Sequence, residues 1–468
     1  TFGSHESYWV EDRISVATRL ALLPAWGLLW MLSLPVLAWL IVAPLALLLA
    51  TLIIGLVLLG TGAVLSVLRP SAARRILGWV EAAMGRLESR PGDLVRRMNR
   101  LAAPLFPLLG LHSLLYSRFY FRAFRRNLTG FLVTRATFCG AGAIVFDGGP
   151  LLRIAQRPPF VRTLARIFPF GEERPIFELR DLFFRPWSAL GTRRRLHLLI
   201  GDANLCEWAQ ALRVGTTALV LEAIEEGGER DWPVLRDPLE ALDRLNRTPD
   251  LDLELELEDG ERVTPLEIQR RYLRQVTRVL SKTGEPLTAW KGRVLRMWAE
   301  TLDLLEQDRE ALADRVDWIA KSLLLEEEVP SAEDWEALRV AGARLVASDS
   351  ASTGADRRLR ELAYQLWRVD LRYHELGPRG GYRRLEAAGR VRRLSRPEDV
   401  RRARTEPPRD TRAWARGRAI KWAHAHAQSG GVAWHRARLA KFDWRWFTDP
   451  LDPKRREDDP PDDPSPLG

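Results

Sequence analysis

Cysteine is scarce: the 468 residues hold two, Cys139 and Cys206. They lie far apart and without ligand spacing, which excludes a disulfide framework and a cysteine-built zinc site and fits a reducing cytosol. No Walker loop, dinucleotide-binding glycine pattern or nucleophile elbow occurs, so the common nucleotide and hydrolase folds receive no support. The first residue is Thr1, with no methionine and no basic leader, and the chain reads as a fragment or a processed product. Charge is missing altogether between Arg19 and Arg69.

That uncharged run, about fifty residues, is long enough for two membrane spans of roughly 20 residues each. Pro44 lies near its middle and is the expected break, giving spans of about 22–42 and 45–68. Arg13 and Arg19 precede the run, and Arg69, Arg74, Arg75, Arg86 and Arg90 follow it. The positive-inside rule then keeps both ends in the cytoplasm. A buried pair of core helices is the competing reading, although globular cores seldom run so long without a charge. From Ser71 to Asn127, Arg96, Arg97, Arg100, Arg118, Arg122, Arg125 and Arg126 are interleaved with Leu, Phe and Tyr. This suits helices lying in the membrane interface and reaching toward anionic headgroups; no nucleic-acid partner is expected, because the segment adjoins the spans directly. Elsewhere the chain is polar. Its hydrophobic share is 46% and its formal charge +10, a balance that an acidic partner, the inner face of a membrane or arginine-rich codon usage would each produce.

From Phe131 onward the pattern is that of a mixed α and β body, with a strand at Phe131 itself. Residues 195–200 read as a buried strand, Gly201-Asp202-Ala203-Asn204 as a turn, and about 205–226 as a helix. Leu alternates with an acid from Leu251 to Glu258, which predicts a strand with four leucines on one face and a hairpin turn at Asp259-Gly260. Thr264-Pro265-Leu266-Glu267 predicts a capped helix start, and further helices are expected at about 287–306, 331–346 and 357–372. Hairpin strands with helices grouped between them argue for an α+β fold. The tail from Asp449 is charged and ends in clustered prolines, as disordered segments do.

Several polar residues stand where packing alone would not put them. His5 and Glu6 interrupt a short strand, and His197 alternates with leucines in a strand expected to be central. Arg157, Arg174 and Arg180 share a window with Arg162 and Arg166. A lone strand histidine is more often a satisfied core group than a ligand, and arginines in a window usually form a solvated face. Together they resemble a site for divalent metal and polyphosphate.

The segments carrying these residues resemble one family throughout. Gly3-Ser4-His5-Glu6-Ser7-Tyr8, Phe131-Leu132-Val133-Thr134-Arg135 with Gly140-Ala141-Gly142, Ala155-Gln156-Arg157, and Arg174-Pro175-Ile176 with Arg180-Asp181 are similar to segments of Pup ligases and depupylases. The longest piece is Arg195-Leu196-His197 through Gly201-Asp202-Ala203-Asn204-Leu205 to Glu207, then Val214-Gly215-Thr216-Thr217-Ala218. Asp317-Trp318-Ile319-Ala320-Lys321, Asp370 to Tyr373-His374, and Pro407-Pro408 with Asp410-Thr411-Arg412-Ala413 continue it, followed by Arg416-Gly417.

The uncharged run adds an inserted transmembrane helical hairpin, which has no counterpart in the usual family members; the resemblance itself implies an α+β, glutamine-synthetase-like antiparallel sheet with helices and a small C-terminal domain. Its expected divisions are 1–13 and 129–400 for the catalytic domain, 14–128 for the membrane insertion, 401–450 for the small domain and 451–468 for the tail. It implies an ATP- and Mg2+-dependent enzyme acting on the C-terminal Glu or Gln side chain of Pup, or of a Pup-like acidic protein and its conjugates. The motif variants are nearer the depupylase and deamidase branch than the ligase branch. His5 and His197 would serve a metal, and Arg157, Arg174 and Arg180 the nucleotide. The catalytic strand is expected before Thr1, leaving no catalytic residue on this chain. Ser7, Pro158-Pro159 and Leu182-Phe183-Phe184 depart from the family pattern, which leaves an inactive membrane-anchored homologue serving as an adaptor as the second reading. The expected location is the inner membrane, with the domain facing the cytoplasm and membrane lipid as a further partner.

Overall fold

The computed structural model describes residues 3–11, 14–68, 78, 106–147, 151–167, 173–181, 191–227, 232–282, 284, 286–347, 354–407, 413–425, 436–438 and 444–446. Most of the basic segment 69–105, the Leu182-Phe183-Phe184 departure, Pro408 to Arg412 and the tail from Asp449 lie outside them. Residues Thr1–Arg392 form one compact unit and Arg393–Gly468 another.

In the first unit, strand β1 (Gly3–Glu11) leads into helix α1 (Val16–Leu68), and α2 (Phe106–Leu115) and α3 (Arg122–Thr134) follow. Short strands β2 (Ala143–Ile144) and β3 (Leu152–Arg153) pair with each other. Strands β4 (Val161–Arg166), β5 (Arg174–Glu178) and β6 (Arg193–Asp202) precede α4 (Glu207–Gly227). After the hairpin of β7 (Leu255–Glu256) and β8 (Arg262–Val263) come α5 (Pro265–Lys282), α6 (Ala289–Gln307), α7 (Asp317–Glu328), α8 (Ala332–Ala347) and α9 (Gly354–Tyr373). The second unit holds α10 (Pro397–Ala403), α11 (Ala413–Ala425) and the paired strands β9 (Arg436–Arg438) and β10 (Trp444–Trp446).

The main sheet runs β1-β6-β5-β4, so β6 is interior, as its apolar run predicts. It is mixed, which corrects the antiparallel sheet expected from the resemblance. β4 and β5 are parallel, because the chain loops back to start β5 beside the start of β4, with Val161 opposite Arg174. Helix α4 packs against β1, and α3, α5 and α6 pack in turn around α4. Phe131, fully buried, stacks edge-on against Tyr272 of α5 and Trp298 of α6, at 5.5 and 5.7 Å. Phe131 therefore lies in a helix and not in a strand. A short run of Phe, Leu, Val and Thr has strand propensity, but four apolar residues do not distinguish a buried helix from a buried strand. The helix is held by tertiary bonds: the Gln269 side-chain amide donates to the Phe131 carbonyl at 3.0 Å, and the Tyr272 hydroxyl to the Asn127 carbonyl at 2.6 Å.

The acid–leucine alternation makes a much shorter strand than expected. Only Leu255 and Glu256 join the ladder of β8, and Leu251 takes a positive φ of 64° at a turn closed by its N–H on the Thr248 carbonyl. The burial that the pattern encodes survives: Leu251, Leu255 and Leu257 are buried, and Leu253 packs on the core. Gly260 makes the turn with φ 88°. Thr264 caps α5, its hydroxyl accepting from the Glu267 N–H at 3.1 Å. The Glu267 carboxylate is taken by Arg271 and Arg274 instead of closing the capping box.

Helix α1 is continuous across Pro44, so the expected break is not there. Proline removes one hydrogen bond from the ladder, and the long Leu- and Ala-rich runs on both sides keep the rest. Its 53 residues extend about 80 Å. Among the described residues, one stretch, Val16–Pro35, is long and apolar enough to cross a membrane, and little of it is buried. Helix α2 lies antiparallel against this part of α1. Ser33 Oγ meets His112 Nε2 at 2.8 Å, and the Trp26 indole N–H donates to the Tyr116 hydroxyl at 2.6 Å. The start of α1 is fastened to the body by the buried Arg19, whose guanidinium donates to the Ile14 and Gly191 carbonyls.

Phe131→Ala removes the ring at the centre of this core. It is expected to lower unfolding free energy by about 3–5 kcal/mol in denaturant titration. A loss within experimental error would show that the ring stack does not hold α3 against α5 and α6.

Candidate active site

The site starts from a β-bulge. Along β1 and β6, Gly3 pairs with Asp202 and Ser4 with Gly201, but Glu6 pairs with Leu198 and Ser7 with His197. β6 thus carries one extra residue at this point. In unbroken register His197 would stand opposite Tyr8 and point away from His5, since a slip of one residue exchanges the faces of a strand. The bulge puts both histidines on one face, with ring centroids 5.3 Å apart. On the other side of β6, Glu178 of β5 is paired with His197, making a row of Ser7, His197 and Glu178 across three strands.

Glu178 organises this row and is the residue that reading the sequence missed. One of its oxygens contacts His197 Nδ1, and the other is 3.6 Å from the Arg180 Nε. Burial alone would raise the Glu178 carboxyl, but the hydrogen bond and charge of His197, with Arg180 and His5, hold it below the usual range. Its signal in the sequence was a single acid between Phe177 and Leu179. Burial, then His197, Arg157 and Arg174, push His5 below its ordinary value, with Glu178 opposing. That direction favours the neutral imidazole, the form that can bind a cation.

Of the three arginines singled out, Arg157 is buried and lies against Gly3: a Cβ there would overlap the Arg157 guanidinium. Its Nε is buried without a hydrogen-bond partner. Arg174 is partly buried at the start of β5, and Arg180 is exposed at a helical start just after β5. Arg162 and Arg166 lie on β4, where Arg166 pairs with Glu173 at 3.1 Å. The structure thus brings His5, His197, Arg157 and Arg174 near one another, with Arg180 at the edge. Among the described residues, no group of three His, Cys, Asp or Glu is arranged to hold a metal ion.

Beneath this surface the remaining motif residues form supports. Glu6 points inward and takes a two-pronged grip from Arg135 at 2.6 and 3.0 Å, with the Tyr8 hydroxyl donating at 2.8 Å. Arg135 also reaches Thr217 at 2.6 Å. Asp202 accepts from the N–H groups of Ala141, Gln156 and Arg157 at 2.8, 2.9 and 3.1 Å. Asp317 accepts from the N–H groups of Leu205 and Cys206 and from the Asn204 amide and the Tyr373 hydroxyl. Lys321 donates to the Gly142 carbonyl, to Asp370 and to His374 at 2.8, 2.6 and 3.2 Å. Burial and the Lys321 charge push His374 down to about 3, so it stays neutral and serves as an acceptor.

Comparison with known proteins gives a consistent picture. The sequence profile of the Pup-ligase protein family matches residues 1–438. A depupylase of Acidothermus cellulolyticus is 36% identical over 320 residues, covering 66% of this chain and 56% of that protein. A Pup–protein ligase of Acidimicrobium ferrooxidans is 33% identical over 315 residues, covering 67% and 62%. The chain thus spans less than two thirds of the length of these curated relatives. The solved structure of the Pup ligase PafA in complex with ADP superposes with a TM-score of 0.53 at 27% identity, covering 69% of this chain and 66% of that one.

The Glu6–Arg135 pair makes a sharp stability test. Burial raises the Glu6 carboxyl, but Arg135, Arg213 and Tyr8 outweigh it and hold it below its usual value. Its contribution is therefore complete above the unfolded-state value, near that of a free glutamate, and is lost as pH falls through the lower folded-state value. Glu6→Gln leaves the Arg135 charge buried without a counter-charge and is expected to cost about 3 kcal/mol at neutral pH. The deficit should shrink as pH falls below the free-glutamate range in urea melts. A deficit that is the same at every pH would rule out the ionic role.

Proposed function

The chain belongs to the Pup-ligase protein family, and we propose that it acts on the C-terminal Glu or Gln side chain of Pup, or of a Pup-like acidic protein, using ATP and Mg2+. The observation that carries this reading is the convergence of two imidazoles, one ionised carboxylate and the family's arginines on one face of the sheet. The motif variants along the chain favour depupylation or deamidation over ligation.

Arginine suits a polyphosphate because its planar fork stays charged and grips oxygens in pairs. Arg157 is pre-positioned for this by its backbone bond to Asp202 and by the space left at Gly3. Magnesium takes few protein ligands and fills its shell with water and phosphate oxygens. His5 and His197 fit part of such a site, and when bound the ion would neutralise charge on the transferred or polarised group. Glu178, in contact with His197 Nδ1, fixes the orientation of the ring, as outer carboxylates do beside metal-bound imidazoles.

The membrane reading is part of the same proposal. β1 precedes α1 and pairs with β6, which follows it, so any excursion into a bilayer begins and ends on one side and makes an even number of crossings. α1 is the outward leg and α2, antiparallel to it, ends the return. Arg13 and Arg19 before α1, with Arg118, Arg122, Arg125 and Arg126 after α2, are the flanks that favour the cytoplasmic side for the body, at the inner membrane.

Arg180→Ala is expected to weaken ATP binding by about tenfold in calorimetric titration, the loss of one charge-assisted contact, with the thermal midpoint unchanged. Unaltered affinity would remove Arg180 from the nucleotide site. For the membrane, the full chain should stay with the membrane fraction through an alkaline wash, and deletion of residues 20–68 should release it. Release of the intact chain would defeat the anchor.

A further inference from the structure

Beside the turn that joins α2 to α3, the protein holds a cavity of about 320 Å³ lined by Arg118, Arg122, Arg125, Arg126, Arg236 and Glu258 among others. Five guanidinium groups face one carboxylate. Arg126 pairs with Glu258 at 2.8 Å, and Arg236 pairs with Glu256. Among the described residues, Arg118, Arg122 and Arg125 have no carboxylate partner, and the Arg125 Nε is buried with no hydrogen bond. Gathering like charges around a hollow costs energy unless something anionic enters it, and among the described residues Glu258 is the one carboxylate lining it.

The position of the cavity indicates the source of the anion. Arg118 lies on the π-helical turn Tyr116–Tyr120 that continues α2 directly. Tyr116 accepts from Trp26 of α1, and the Tyr120 ring lies 5.9 Å from that of Tyr116 and under the Arg194 guanidinium at 4.4 Å. A Trp–Tyr–Tyr cluster with an exposed apolar helix surface on one side and arginines on the other has the layering of a bilayer boundary. Leu28, Met31, Leu32, Leu111 and Leu114 are exposed on the apolar side.

We propose that this cavity binds the phosphate of an anionic phospholipid headgroup at the foot of the helix pair. The proposal rests on the membrane reading above and adds lipid selectivity to it. The lipid supplies the counter-charge that the fold omits and fixes the depth at which the body sits against the membrane.

The test uses the full chain in neutral detergent micelles, with fluorescently labelled phosphatidylglycerol as probe and labelled phosphatidylcholine as control. Phosphatidylglycerol should bind more tightly, less so at high salt. R118Q/R122Q, which alters two exposed side chains, should weaken it about 30-fold, and adding R125Q should take the loss to on the order of 100-fold, at about 1 kcal/mol for each arginine. Unchanged circular dichroism keeps the double variant interpretable if the triple variant misfolds. Equal binding of the two lipids, or full binding by the double variant, overturns the headgroup site, even if the chain stays in alkali-washed membranes. Displacement of the lipid by glycerol phosphate at comparable concentration would assign the cavity to a soluble phosphate. Displacement by an acidic peptide would assign it to a protein partner. Either result overturns the proposal.

Discussion

Asp202 ends β6 with its carboxylate buried, and three backbone N–H groups from two separate loops bond to it. Burial raises this carboxyl above its usual value even against those bonds, a sign of how far the group is withdrawn from water. Ala141, Gln156 and Arg157 are brought against the bulged end of the β1–β6 ladder, and Gly3 can approach Arg157 only because it lacks a side chain. Without Asp202, the loop that delivers Arg157 and the strand that delivers His5 would have no common anchor.

The same economy extends outward. Gln156 bonds the Gly142 carbonyl and His374, and Lys321 bonds that carbonyl, His374 and Asp370. Asp317 fastens the turn after β6 to α9 through Tyr373. These groups look catalytic by type, but they are enclosed and mutually satisfied. A buried polar network with every member partnered specifies one arrangement of the chain. Their part is to position Arg157 and the end of β6.

Charge is distributed on a different plan at the surface. Around α5, arginines meet acids: Arg270 with Asp303 and Glu306, and Arg271 with Glu261 and Glu267. Beside the foot of α2 only Arg126 and Arg236 of the five cavity arginines do so among the described residues, and Arg118, Arg122 and Arg125 leave a local positive field there. Codon usage would spread arginine evenly; the contrast between the two regions is what gives the basic face a meaning.

Much was legible in the sequence because it is encoded locally. The uncharged run, the helices α4, α5, α6, α8 and α9, the cap at Thr264 and the turn at Gly260 follow from periodicity and turn chemistry that act over a few residues. The motif order carried the family, and with it the expectation that His5 and His197 share a face. What the sequence could not contain was the register. Parity along two strands does not say which residues pair, and the extra residue in β6 reverses the face of everything beyond it. Glu178 entered the site only through that pairing. The helix at Phe131 was decided by Tyr272 and Trp298, far along the chain, and the parallel run of β4 and β5 by where the chain re-entered the sheet. Composition and short-range pattern determined which segments are helical, apolar or charged. Contacts between distant segments determined which side chains meet, because a hydrogen-bond register is a property of two strands together and of neither alone.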